Sequence, residues 1–174
     1  IQTLKTFLNA AKQAGITIKD DYLTFRVASE KAEHVVLSRE ELQKLFDFDL
    51  SGNDRLNNVR DMFLIGCYTG LRFSDFSTIR PDHIEGENIR LHQYKTGGLV
   101  QIPLHPNLKS LLERRKGILP RTISATSFNK YIKEVCQIVG IKDKVEIKQT
   151  VGGKRITRMY RKWEIISSHT ARRS

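Results

Sequence analysis

At Pro81 the hydrophobic period of this chain changes, and that switch limits the fold more than any other feature of the sequence. Before it, apolar residues recur at helical spacing. Ser38-Arg39-Glu40-Glu41 is a capping box, Leu37 and Leu42 are placed as a hydrophobic staple, and Leu42, Leu45 and Phe46 form the stripe behind it. A polar turn around Gly52 leads to a second helix that carries Val59, Phe63, Ile65 and Cys67 and is placed to end at Gly70. Residues 71–79 form a short helical stretch that stops before Pro81. Beyond Pro81, Ile84, Ile89, Leu91, Val100 and Ile102 lie in short runs broken at Glu85-Gly86-Glu87 and Thr96-Gly97-Gly98, which predicts three short antiparallel strands joined by tight turns. Lys95 sits at the second turn, where a long side chain can project past the sheet edge.

Helical spacing returns at Pro106 and Asn107 and runs through Leu108, Leu111 and Leu112 to Gly117. It returns again from Ser124: Phe128, Tyr131, Ile132, Val135, Cys136 and Val139 follow i, i+3, i+4, i+7 spacing up to Gly140. Residues 145–166 then read as a β-hairpin around Gly152-Gly153, carrying Lys148, Lys154, Arg155, Arg158, Arg161 and Lys162 with Tyr160 and Trp163 between them. This order of helices, small sheet, helices and hairpin predicts an α+β fold, mainly α. At the front, Leu4, Phe7, Leu8 and Ala11 make one face of a short helix with Gly15 at its end. Two turns bury little alone, so residues 1–16 read as the last helix of a preceding domain, 17–34 as a polar linker, and 35–174 as the main domain.

A formal net charge of +11, from 30 Lys and Arg against 19 Asp and Glu, favours a polyanionic partner, nucleic acid before an anionic membrane. Apolar residues at 39% exclude a disordered chain, and no apolar run approaches a membrane span. Cys67 and Cys136 both fall in apolar helical patterns and read as buried thiols of a reducing cytoplasm. The histidines have no ligand spacing to a Cys or to one another, so no metal site is expected. Gly152-Gly153-Lys154 is not a phosphate-binding loop, because Lys148 stands where its first Gly belongs and Arg155 where Ser or Thr belongs. In so basic a chain the cationic hairpin reads as a surface that tracks a phosphate backbone.

The closing run Ser168-His169-Thr170-Ala171-Arg172-Arg173-Ser174 begins with a residue suited to an N-cap and puts His169 and Arg172 three apart, on one helix face. An imidazole and a guanidinium then point at one spot, which suits an anion. Singly, Arg72, Lys95 and His169 each have an ordinary explanation: a salt-bridge arginine, a solvated turn lysine, a capping or core histidine. In combination they do not. With Thr69-Gly70-Leu71-Arg72-Phe73-Ser74-Asp75, Tyr94-Lys95-Thr96-Gly97, Ile102-Pro103-Leu104 and Ser168-His169-Thr170-Ala171-Arg172 in this order, residues 35–174 resemble the tyrosine recombinases, the phage-integrase family. The forms His-Thr-Ala-Arg-Arg-Ser and Gly-Leu-Arg-Phe-Ser-Asp are most similar to integrases of conjugative transposons and related mobile elements.

The resemblance implies the recombinase catalytic-domain fold, with residues 1–16 as the last helix of the family's core-binding domain. It implies site-specific DNA recombination or integration through a 3′-phosphotyrosyl intermediate. Arg72 and Arg172 would clamp the scissile phosphate, Lys95 would protonate the departing 5′-oxygen, His169 would assist proton transfer, and Asp75 would support the arrangement. The implied partner is double-stranded DNA, bound by the full-length protein as a homo-tetramer in the cytoplasm of a bacterial cell, at the nucleoid. Neither cofactor nor metal is needed, because exchanging one phosphoester for another conserves the bond and the arginines supply the positive charge. None of the five tyrosines suits the nucleophile: Tyr22 lies in the linker, Tyr68, Tyr94 and Tyr131 in core-type elements, and Tyr160 on the hairpin ahead of His169. The chain is therefore expected to be a fragment that stops before the nucleophile and does not cleave DNA. The alternative is a non-catalytic DNA-binding protein that keeps the fold, although binding alone does not require Arg72, Lys95, His169 and Arg172 together. A type IB topoisomerase, which shares the chemistry, ranks third.

Overall fold

The structure, a computed structural model, describes residues 2–26, 34–151 and 154–174. The chain divides into two compact units, Ile1–Ala32 and Glu33–Ser174.

In the first unit, α1 (Gln2–Gln13) ends at Gly15, whose φ of +85° is open to glycine. Residues 17–26, the first part of the expected linker, fold back on this helix. A 3₁₀ turn at Asp20–Leu23 is tied down by a Lys12–Asp20 ion pair (2.7 Å), by Lys5 Nζ donating to the Leu23 carbonyl (2.7 Å), and by the Tyr22 hydroxyl donating to Asn9 (2.6 Å). A single tight turn held by polar groups leaves no apolar period to read. Residues 27–33, the rest of the expected linker apart from His34, lie outside the described residues.

The second unit is arranged around α3 (Asp54–Thr69), capped by Asn53, whose side chain accepts from the Leu56 N–H at 3.1 Å. Every residue from Asn58 to Gly66 is buried, so this helix has no solvent face over that stretch. The neighbours that cover it are α2 (Arg39–Asp47), α4 (Phe73–Phe76), α5 (Pro106–Arg114), α6 (Ala125–Val139) and α8 (Ser168–Arg173). The Ser38 capping box forms as expected, with the Ser38 N–H donating to the Glu41 carboxylate at 2.7 Å. Phe63, Phe73, Phe76 and Phe128 meet in one aromatic cluster with ring centroids 5.1–6.4 Å apart. Burying each such ring contributes about 1.5–3 kcal/mol.

Two polar features lie inside this packing. Asp61, 1% exposed, receives Arg60 Nε at 2.6 Å, Arg115 Nη1 at 2.7 Å and Arg114 Nη2 at 3.3 Å. Arg60 also donates to the carbonyls of Leu45 (3.1 Å) and Phe48 (2.7 Å), which ends α2 against α3. Burial pulls the Arg60 guanidinium down from its ordinary value while Asp61 pulls it up.

The three expected strands form one antiparallel sheet, β1 (Ile84–Glu85), β2 (Asn88–His92) and β3 (Leu99–Pro103), in that order. Ile89 faces Ile102 and Leu91 faces Val100 on the side turned to the core, while Arg90 and His92 point out. The hairpin pairs β4 (Lys144–Val151) with β5 (Lys154–Arg161), and the Gly152-Gly153 turn lies outside the described residues.

Two boundaries differ from the sequence reading. The hairpin stops at Arg161, where the chain turns into α7 (Lys162–Ile165), and the Arg161 N–H donates to Glu164 at 2.6 Å. Lys162 and Trp163 are therefore helical rather than part of the hairpin. The cap of α8 is Ser167, not Ser168: Ser167 is extended (φ −151°, ψ 178°) and its N–H donates to Thr170 Oγ1 at 3.1 Å. Either serine has the chemistry of a cap; Ser168 itself is buried, with its N–H held by Asn129 of α6.

Candidate active site

Arg72 is set by the turn that ends α3. Gly70 closes the helix in the left-handed region (φ +64°), and its N–H donates to the Gly66 carbonyl at 3.0 Å. Leu71 drops into the core, and Arg72 becomes the extended residue before α4, its carbonyl accepting from the N–H groups of Asp75 and Phe76, both at 2.9 Å. The residue is half-buried. Its Nη1 is shut off from solvent and has no hydrogen-bond partner, a costly state for a cationic nitrogen unless a ligand supplies an acceptor.

Lys95 stands on the turn between β2 and β3, and that turn is tightly held. Gln93 N–H donates to Gly98 (2.9 Å), Gly97 N–H to Gln93 (2.8 Å), and Thr96 Oγ1 to the Gln93 side chain (2.9 Å), while His92 Nδ1 lies 3.0 Å from the Gly97 carbonyl. Asp75 ties the turn to α4. Its Oδ1 accepts the Tyr94 backbone N–H at 2.9 Å, although the residue is only 3% exposed. Asp75 thus links the segment of Arg72 to that of Lys95. Its second oxygen, Oδ2, is buried without a partner.

His169 and Arg172 both lie on α8, and both are exposed. The helix is fixed from three sides. Ser168 N–H donates to Asn129 of α6 (2.8 Å), and Leu37 N–H donates to Ser174 Oγ (2.9 Å). Ala171 lies against Gly66 of α3, where a Cβ added to the glycine would come within 3.0 Å of the Ala171 methyl and 2.8 Å of the Phe76 ring. Gly66 is a notch that lets α8 and α4 meet over α3. The segments of Arg72, Lys95 and the His169–Arg172 pair are therefore brought together in one unit. None of these four side chains has an ion pair or hydrogen bond among the described residues.

The basic hairpin is divided by its register. Lys148 pairs with Thr157, Thr150 with Arg155 and Lys144 with Arg161, so Lys148, Arg155 and Arg161 share one face. Lys154 and Arg158 fall on the other, with Val145, Ile147 and Tyr160. That second face borders a groove in which Ile147, Gln149 and Tyr160 meet Val35, His169 and Arg173. Lys148 also pairs with Glu146 at 3.0 Å. Lys162, expected among the DNA contacts, is mostly buried and pairs with Glu41 of α2.

Sequence reasoning missed Gly66, Ala171 and the Asp75–Tyr94 bond. A glycine inside a helical pattern was the signal available for the first, since it costs about 1 kcal/mol relative to Ala and calls for a packing reason. Tyr94, expected in a core-type element, is instead 87% exposed. Tyr68 is half-buried, stacked on His105 with ring centroids 4.7 Å apart and bonded to Asn107 (3.0 Å); burial pushes its hydroxyl above the ordinary value. Among the described residues no three His, Cys, Asp or Glu side chains come together as a metal would need. No helix among them is long and apolar enough to cross a membrane.

No family model matches the sequence, and no curated protein does. Solved structures do match. A lambda integrase tetramer bound to a Holliday junction superposes with a TM-score of 0.59 at 20% identity, over 80% of this chain and 45% of that one. The lambda integrase catalytic core gives 0.53 at 16% identity, over 80% of both chains. A lambda integrase dimer bound to a COC′ core site gives 0.59 at 21% identity, over 80% of this chain and 43% of that one. The chain thus spans about half the length of the longer integrases it matches. Its fold is that of the lambda integrase catalytic core.

Proposed function

We propose that this chain is the catalytic-domain portion of a tyrosine recombinase that cuts and rejoins double-stranded DNA, and that it serves site-specific recombination or integration of a mobile element. One observation carries the reading: Arg72, Lys95, His169 and Arg172 lie on three segments packed into one unit, and none has an acidic partner among the described residues. Four cations without counter-charge on segments of one packed unit, one of them with a buried, unpartnered nitrogen, suit an anionic ligand.

The chemistry follows from the charges. As a tyrosine oxygen attacks the scissile phosphorus, negative charge grows on the non-bridging oxygens, and the Arg72 and Arg172 guanidiniums stabilise it through bidentate hydrogen bonds. The bond from phosphorus to the 5′-oxygen breaks, and Lys95 gives that oxygen its proton. His169 assists removal of the tyrosine proton or holds the phosphate. The product is a 3′-phosphotyrosyl bond and a 5′-hydroxyl, and reversal on a new strand completes the exchange. Asp75 acts by holding the Lys95 turn beside Arg72.

The test is a nicked suicide duplex incubated with the product of the complete gene. A covalent protein–DNA adduct is expected, and Arg72→Ala or Arg172→Ala should each slow its formation by about 10²–10³. Salt-dependent DNA binding with no adduct would favour the non-catalytic DNA-binding protein instead. On the hairpin, Arg155→Ala and Arg158→Ala lie on opposite faces. Whichever face meets DNA should lose about 0.9 from the slope of log affinity against log salt for each phosphate contact removed.

A further inference from the structure

The Tyr94 side chain is 87% exposed, yet its backbone is fixed by the bond to Asp75 and by the hydrogen bonds that close the β2–β3 turn. A flat aromatic ring is therefore held out in water on a rigid support, directly before Lys95. Folding gains nothing from this ring, since it buries almost none of its surface. Binding would cost little, because the backbone is already ordered and only two side-chain torsions remain. An exposed aromatic next to a phosphate-seeking lysine, in a chain of net charge +11, has two elements that DNA contacts combine: a charge for the phosphate and an apolar surface for the sugar beside it.

We propose that Tyr94 is a DNA-contact residue whose ring packs on the sugar of the nucleotide beside the phosphate that Lys95 engages. This rests on the DNA reading given above. The nucleophile's role does not suit Tyr94. In-line displacement puts the attacking and leaving oxygens on opposite sides of phosphorus, and a tyrosine adjoining the proton donor for the leaving oxygen is on the wrong side to attack.

The experiment is a binding titration of this chain with a short nonspecific duplex at several salt concentrations. Tyr94→Ala should bind about fivefold more weakly at every salt concentration, with the slope unchanged, because the lost contact is burial of apolar surface and not ionic. Tyr94→Phe should bind like the wild type. Lys95→Ala should flatten the slope by about 0.9. An unchanged melting temperature for Tyr94→Ala, expected for an exposed ring, would tie the loss to the contact rather than to folding. Wild-type affinity in Tyr94→Ala would overturn the proposal and leave the DNA reading intact, as would an equal loss in Tyr94→Phe, which would point to the hydroxyl. A wild-type chain showing no salt-dependent duplex binding would overturn the DNA reading and this inference with it.

Discussion

The backbone N–H of Tyr94 and the carboxylate of Asp75 are joined across 2.9 Å, and this bond fastens the turn that carries Lys95 to the short helix that follows Arg72. Side chains 23 positions apart in the sequence are thereby supported by one shared contact.

Removing that contact should be felt in both stability and chemistry. Asp75→Ala leaves a backbone N–H without its partner and should lower the unfolding free energy in urea by about 1–3 kcal/mol, while Asp75→Asn, which keeps an acceptor, should lose less. A turn displaced by about 1 Å should cost on the order of 10² in adduct formation by the complete gene product. Equal stability of Asp75→Ala and wild type would show that the bond does not hold the turn.

Gly66→Ala should destabilise by about 1–3 kcal/mol through overpacking, since the new methyl would meet both Phe76 and Ala171. Adding Ala171→Gly should recover only part of the loss, because the Phe76 contact remains. Chemical denaturation of both variants checks this, and full recovery in the double variant would place the strain on Ala171 alone.

Asp61 accepts hydrogen bonds from three arginines, Arg60, Arg114 and Arg115. Asp61→Ala should lower stability by about 3–5 kcal/mol, the cost of leaving buried guanidinium charge uncompensated. Arg114→Ala should cost much less, because Arg114 is partly exposed and two partners remain on Asp61. Comparable losses in the two variants would contradict the assignment of Asp61 as the centre of the cluster.

Burial pushes the thiols of Cys67 and Cys136 well above their ordinary value. Between the unfolded thiol value, about 8.5, and the raised folded one, the unfolded chain has released protons that the folded chain still holds. Their contribution to stability is thus fully present below about pH 8.5 and falls as pH rises above it. The fall should be shallower in Cys67→Ser/Cys136→Ala, measured by denaturation across this range. The Cys136 thiol should resist alkylation at pH 8 and react once the chain unfolds. Rapid labelling of Cys136 in the folded chain would contradict its burial.

Long, strongly periodic elements were legible. The stripe from Phe128 to Val139 forms α6 and Gly140 ends it at φ +88°, while Gly70 ends α3 in the same left-handed way. The three strands were legible from Ile84, Ile89, Leu91, Val100 and Ile102 and from the glycine turns between them. Short elements were less legible. Alternation and helical period both lapse in a turn, so nothing in the pattern told that Tyr94 points outward. The shift from Ser168 to Ser167, and the change from hairpin to helix at Lys162, each turn on one local bond, Ser167 to Thr170 and Arg161 to Glu164, and boundaries of that kind move by a residue or more without a change of pattern. The residue types of the candidate site were visible, but what holds them together was not. Gly66 matters through what approaches it, and a local pattern does not encode an approach.

The glycine notch at position 66 also bears on the order in which the protein comes into being. Arg72 and Lys95 lie within one continuous stretch of chain, but His169 and Arg172 join them only when α8 seats itself over a helix made about a hundred residues earlier. A nascent or half-folded chain therefore has no complete set of cations. On the proposed reading, the shared anion affinity of the four cations arises only once α8 has taken its seat.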